Sequence, residues 1–135
     1  MDPFRTNLDA VPHVSGLRSE DGWIDMQVQF LIDQATAGSD DFLLGWTVLP
    51  SGARHERHRH SNAEEFFVVL NGAGMIYTDR GREPSNRGDV VFTPRGHWHG
   101  FDNTGEDDVV LVWGWSGAGS LEAAGYETDA SEPSP

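Results

Sequence analysis

Between Trp23 and Asp33 the chain alternates: Ile24, Met26, Val28, Phe30 and Ile32 are apolar, and Asp25, Gln27 and Gln29 fall between them. Successive side chains of a strand point to opposite faces, so this period of two predicts a half-buried strand. The preceding stretch, residues 1–22, is mixed and carries Pro3, Pro12, Gly16 and Gly22, which predicts an irregular N-terminal arm. Ala35–Asp41 reads as a turn or loop. Phe42–Leu49 is strand-like and stops at Pro50-Ser51-Gly52; Arg54–His60 is an alternating polar strand. Glu65–Leu70 is apolar and ends at Asn71-Gly72, a strong hairpin signal. Gly74–Thr78 follows, then a turn at Gly81. Asp89–Thr93 runs into Pro94-Arg95-Gly96, and His97–Asn103 and Val109–Trp115 are the last strands, divided by an acidic turn at Gly105–Asp108. Only Ser120–Gly125 has room for a short helix. Many short strands with closely spaced turns predict one all-β sandwich or barrel over residues 23–127. The polar, proline-containing stretch 128–135 predicts a disordered tail.

Composition narrows the chemistry. The 135 residues include no cysteine, which excludes disulfides and thiolate nucleophiles, and no lysine, which excludes Schiff-base chemistry. The formal net charge of −13 opposes nucleic-acid backbones and anionic membrane surfaces, so neither is an expected partner. No apolar run reaches the roughly 20 residues of a membrane span. Met1–Ala10, with Asp2, Arg5 and Asp9, lacks the apolar core of a signal peptide, so a soluble, cytoplasmic protein is expected. All nine basic residues are arginines, and seven of them lie in the central segment. They either keep the surface soluble or include one or two that hold an anionic substrate.

Five of the six histidines (His55, His58, His60, His97 and His99) fall between residues 55 and 99. Residues two apart on a strand share a face, so His58 and His60 can present two imidazoles to one point. Glu64-Glu65 opens the next strand and brings a carboxylate, and His99 opens a later one just past the Pro94-Arg95-Gly96 turn. Three imidazoles and a carboxylate suit a divalent transition metal: iron, manganese, nickel, copper, cobalt or zinc. His55 has the opposite parity and is expected to face outward. Glu56 shares the parity of His58 and His60 and is expected to reach the barrel interior near the rim. His97, in the turn before His99, is either a plain turn residue or a proton shuttle at the pocket mouth.

The glycine and proline frame around these residues resembles the cupin superfamily. Its first motif, G-x5-H-x-H-x3,4-E-x6-G, is matched by Gly52, His58, His60, Glu65 and Gly72. Its second, G-x5-P-x-G-x2-H-x3-N, is matched by Gly88, Pro94, Gly96, His99 and Asn103. The six-residue count to Gly72 selects Glu65 over Glu64. The resemblance implies a single-domain jelly-roll β-barrel (a double-stranded β-helix) binding one divalent metal ion, iron first, through His58, His60, Glu65 and His99.

Strand parity then nominates Phe67, Val69 and Phe101, with Trp46, Trp113 and Trp115, as walls of a substrate pocket. The chemistry most often implied by the resemblance is dioxygenation by a mononuclear non-haem iron centre acting on a small organic molecule. The alternatives are a redox-neutral lyase, isomerase, decarboxylase or cyclase using the metal as a Lewis acid, and a binding or sensing protein without catalysis. If a separate acid or base is needed, His97 and Glu56 are the candidates. The resemblance also implies a homodimer, with the Trp23–Ile32 strand as a segment two copies could exchange.

Overall fold

The computed structural model describes residues 3–129. Eleven strands form among them: β1 (Trp23–Ile24), β2 (Gln27–Ile32), β3 (Phe42–Leu49), β4 (Arg54–Arg59), β5 (Glu64–Asn71), β6 (Gly74–Thr78), β7 (Gly81–Ser85), β8 (Val90–Thr93), β9 (His99–Asp102), β10 (Val109–Ser116) and β11 (Glu127–Thr128). Two one-turn helices, α1 (Gln34–Ala37) and α2 (Leu121–Ala124), and two 3-10 turns in the N-terminal arm (Leu8–Ala10 and Ser19–Asp21) complete the fold. One antiparallel sheet runs β1-β4-β9-β6-β7, with β11 also paired to β4, and the second runs β2-β3-β10-β5-β8. From β3 to β6 and again from β7 to β10 each successive strand changes sheet, which winds the chain into the two-sheet jelly roll expected from the sequence. The motif glycines serve this winding: Gly52 and Gly96 turn the chain at φ of 83° and 79°, where a side chain would be strained.

The long N-terminal strand is broken where the alternation gives no warning. Asp25 adopts a left-handed conformation, φ 56°, which a short polar side chain tolerates. The break sends β1 to pair with β4 in the first sheet and β2 to pair with β3 in the second. Both halves are therefore paired within their own chain. The loop at Ala35–Asp41 contains α1, capped by a reciprocal bond between Asp33 and Thr36. The Gly81 turn leads into β7, whose Pro84 fits because β7 is a sheet edge. Of the stretch expected to be a disordered tail, Thr128 pairs with His58 and Asp129 accepts from Arg57 at 2.7 Å, and 130–135 lie outside the described residues.

The core lies between the sheets. Strand β3 buries Leu43, Gly45, Thr47 and Leu49 there and turns Phe42, Leu44, Trp46 and Val48 outward. The expectation that Trp46 lines the pocket is thus corrected. Alternation separates two faces without saying which is inside, and the smaller set is inside because Trp113 needs the room. A Cβ on Gly45 would stand 2.1 Å from the Trp113 ring. The outward face of the second sheet stays apolar across its width, with Phe42, Leu70, Val90 and Phe92 all exposed at 40% or more.

Asn103, 2% exposed, ties the strand ends together. Its amide donates to the Leu49 and Asp107 carbonyls at 2.7 and 2.9 Å, and its oxygen accepts from the Gly105 amide. Asn103→Ala should strip those groups of their partners and cost about 2–3 kcal/mol of stability. A urea titration should show this as a lowered midpoint, and an unmoved midpoint would contradict the assigned role.

Candidate metal centre

His58 sits on β4 directly opposite His99 on β9, and His60 follows β4 on the same side. Glu65 reaches the same point from β5, in the other sheet. Their ligand atoms lie within 4.8 Å of one another, and all four residues are buried. Strand geometry explains the convergence: His58 and His60 share a face, and the second sheet lays Glu65 across from them.

The backbone sets two of the imidazoles for ligation. The Glu56 carbonyl accepts from His58 Nδ1 at 2.8 Å, and the Gly125 carbonyl accepts from His60 Nδ1 at 2.6 Å. A carbonyl can only accept, so both rings carry their proton on Nδ1 and turn the Nε2 lone pair toward the cluster. Neither nitrogen of the buried His99 ring makes a hydrogen bond, although its Nε2 abuts Glu65 Oε2. A buried imidazole set against a carboxylate, beside two oriented lone pairs, is a donor set that fits a divalent cation.

The charge states agree. Burial holds His58 well below the ordinary histidine range, and the neighbouring imidazole of His55 adds to this. Burial also lowers His60, partly offset by Glu65. For Glu65, burial alone would raise the carboxyl, but His99 and then His60 outweigh it and keep it below the usual carboxylate range. Neutral imidazoles at His58 and His60 beside a carboxylate at Glu65 are the forms that bind a metal.

Three expectations change. His55 faces the interior: it lines the cavity and stacks on His58 with ring centroids 3.7 Å apart. The cause is a β-bulge. Arg54 and His55 pair with Asp102 and Phe101, but the next pair is His58 with His99, so β4 holds one extra residue and its parity flips. The same bulge turns Glu56 outward, where it pairs with Arg54 at 3.3 Å. His97 does not reach the cavity either. It binds the Asp79 carboxylate in an outer groove beside Thr78 and Phe92. Glu64, passed over for Glu65 on the count to Gly72, points outward and accepts from Ser116 Oγ at 3.2 Å.

The cavity beside the cluster is small, about 50 Å³, and its walls include Phe67, Phe101, Trp113 and Trp115. Val69 is buried in the core but does not line it. Parity could not find Trp23, Met26 or Thr47, which also line it. Tyr126 is another residue that no pattern in the chain singles out. Its hydroxyl donates to the Asp21 carbonyl, so its oxygen accepts from His55 Nε2 at 3.0 Å. Its ring stacks with Trp23 and His55. None of the nine arginines lines the cavity. Arg57 and Arg59 instead flank Trp98 on the outside, 4.9 and 4.7 Å from its ring.

Burial keeps His55, His58 and His60 neutral to a lower pH than the ordinary value of 6.5 at which the unfolded chain takes up protons. Below that value the unfolded state binds more protons than the fold, so the metal-free protein should lose stability as the pH falls. Its urea midpoint should drop between about pH 7 and about pH 5.5. A constant or rising midpoint would contradict these charge states.

A sequence profile of the cupin domain matches residues 45–115. The chain is 30% identical over 100 residues to the oxalate-binding protein of Thermotoga maritima, covering 73% of this chain and 80% of that one. It is 33% identical over 86 residues to protein SchB of Streptomyces halstedii, covering 64% and 62%. The fold superposes on a predicted oxalate decarboxylase from Thermotoga maritima with a TM-score of 0.62 at 25% identity, over 67% of this chain and 79% of that one. It superposes on the polyketide cyclase RemF from Streptomyces resistomycificus with a TM-score of 0.71 at 24% identity, over 85% and 80%. With both motifs filled, the ligand set converged and the family profile matched over more than half its length, the chain belongs to the cupin family.

Proposed function

We propose that this chain is a metal-dependent cupin enzyme that performs redox-neutral chemistry on a small, oxygen-bearing organic molecule. The observation that carries the reading is the buried cluster of His58, His60, Glu65 and His99, with two lone pairs oriented by backbone carbonyls. A divalent ion held there would supply Lewis acidity toward an oxygen of the substrate. The chain's own residues do the rest. Glu56 and Gly125 fix the imidazole tautomers through their carbonyls, and the apolar walls at Phe67, Phe101, Leu111 and Trp113 exclude water.

Iron-dependent dioxygenation, the chemistry first implied by the cupin resemblance, would use the same four ligands. Redox-neutral chemistry is preferred on two relatives of 25% identity or more, one named an oxalate-binding protein and one a predicted oxalate decarboxylase. Elemental analysis of the purified protein, followed by assays with and without dioxygen, separates the two. Turnover that persists without dioxygen supports this proposal, and dioxygen consumed in step with product overturns it. Metal and ligand bound with no turnover would make the chain a binding protein.

We further propose that two copies pair, through the outward face of the second sheet instead of by exchanging the N-terminal strand. Val90 and Phe92 are 70% and 60% exposed on that face, unusual on a chain of net charge −13. A flat sheet face presents the same patch to a second copy, as a two-fold contact requires. Light scattering should give twice the 14.9 kDa chain mass, and V90E with F92E should shift it toward one. A monomeric wild-type protein would contradict the pairing.

A further inference from the structure

The composition of the cavity wall narrows the ligand by charge. On the reading that one divalent ion sits among three neutral imidazoles and the Glu65 carboxylate, the site carries a single net positive charge. Nothing else in the wall adds to it. The lining contains no arginine, and the chain has no lysine. The remaining imidazole, His55, rests against the phenol of Tyr126 and has no carboxylate partner among the described residues. We propose that this cavity takes a monoanionic oxygen ligand, one carboxylate or enolate charge, and rejects a dianion of the same size.

Two buried donors point to where such an ligand's oxygens are met. Trp115, 3% exposed, lines the cavity beside His60 with ring centroids 4.8 Å apart, and its Nε1 proton has no acceptor among the described residues. Thr47, also 3% exposed and also in the wall, accepts from Trp113 Nε1 at 2.8 Å. That leaves its own hydroxyl proton without an acceptor among the described residues. An orphaned buried donor costs free energy until an acceptor arrives, so the two favour a ligand that brings oxygen lone pairs. Two neutral donors can share one negative charge delocalised over its oxygens. A second charge would face Phe67, Phe101, Leu111 and Trp113 with no counter-ion, and an uncompensated buried charge is heavily penalised.

Oxalate and oxamate make the comparison clean. They are planar and nearly the same size, but oxamate carries one negative charge where oxalate carries two. In water a free divalent ion attracts the dianion more strongly, so a reversed order would be a property of the cavity and not of the ion.

The test is calorimetric titration of the zinc-loaded 135-residue chain with each compound, after the zinc stoichiometry has been measured. The expected result is one zinc per chain and oxamate bound at least tenfold more tightly than oxalate. Oxalate bound as tightly or more tightly, or no binding of either compound to the loaded protein, overturns the monoanion proposal and leaves the metal reading standing. Failure to bind zinc or any other divalent transition metal overturns the metal reading and this proposal with it. Trp115→Phe keeps the ring and removes the donor. It should weaken oxamate roughly ten- to hundredfold with zinc stoichiometry unchanged, as expected for a lost hydrogen bond to a charged group. Unchanged oxamate affinity would overturn the role given to Trp115. Thr47→Val is the second variant should Trp115→Phe fail to fold, with the same expected direction and the same overturning result.

Discussion

Four polar side chains converge from two sheets into an apolar interior, and the rest of the molecule answers that constraint. His58, His60 and His99 come from one sheet and Glu65 from the other. Burying a carboxylate among hydrophobic rings is unfavourable unless compensating groups surround it. Here the compensation is geometric. Backbone carbonyls orient two imidazoles, a third faces the carboxylate, and the set as a whole offers its lone pairs to one cation. A cation bound there would join the two sheets at their centre, so that metal binding and folding draw on the same free energy.

How much of this could be read from the chain depends on what sets each feature. The ligands were legible because rigid turns and strand parity fix them locally: Gly52 turns the chain into β4, which presents His58 with His60 just past its end, and Pro94-Arg95-Gly96 leads into β9, whose first residue is His99. Glu65 was legible for the same reason. His55 and Glu56 exchanged places because one extra residue in β4 reverses parity, and nothing in Arg54–His60 marks a bulge. Trp46 was misplaced because β3 is apolar on both faces, and the small residue Gly45, which makes room for Trp113, decides which face is inside. The break at Asp25 was hidden inside an unbroken alternation. Each failure involves a partner distant in sequence, which a local pattern does not contain.

The cavity brings together residues from the arm side of the barrel and its far end. Trp23 and Tyr126, more than a hundred positions apart, close over His55, which in turn stacks on His58. This pile of rings holds the cluster-facing imidazole of His58 from behind, as the Glu56 carbonyl holds it from the side. The chain's positive side chains stay on the outer surface, among the acids of β11 and the turns. The cavity is therefore apolar apart from the cluster, His55 and two unpaired donors, a setting in which the charge of the ion and that of its ligand must balance.

The most direct test of the central claim is the X-ray absorption spectrum of the zinc-loaded protein. The account predicts a shell of nitrogen and oxygen only, at about 2.0–2.2 Å, with the outer-shell scattering of three imidazoles. A shell with fewer than three imidazoles, or one that is unchanged when His58 and His99 are both replaced by alanine, would contradict it.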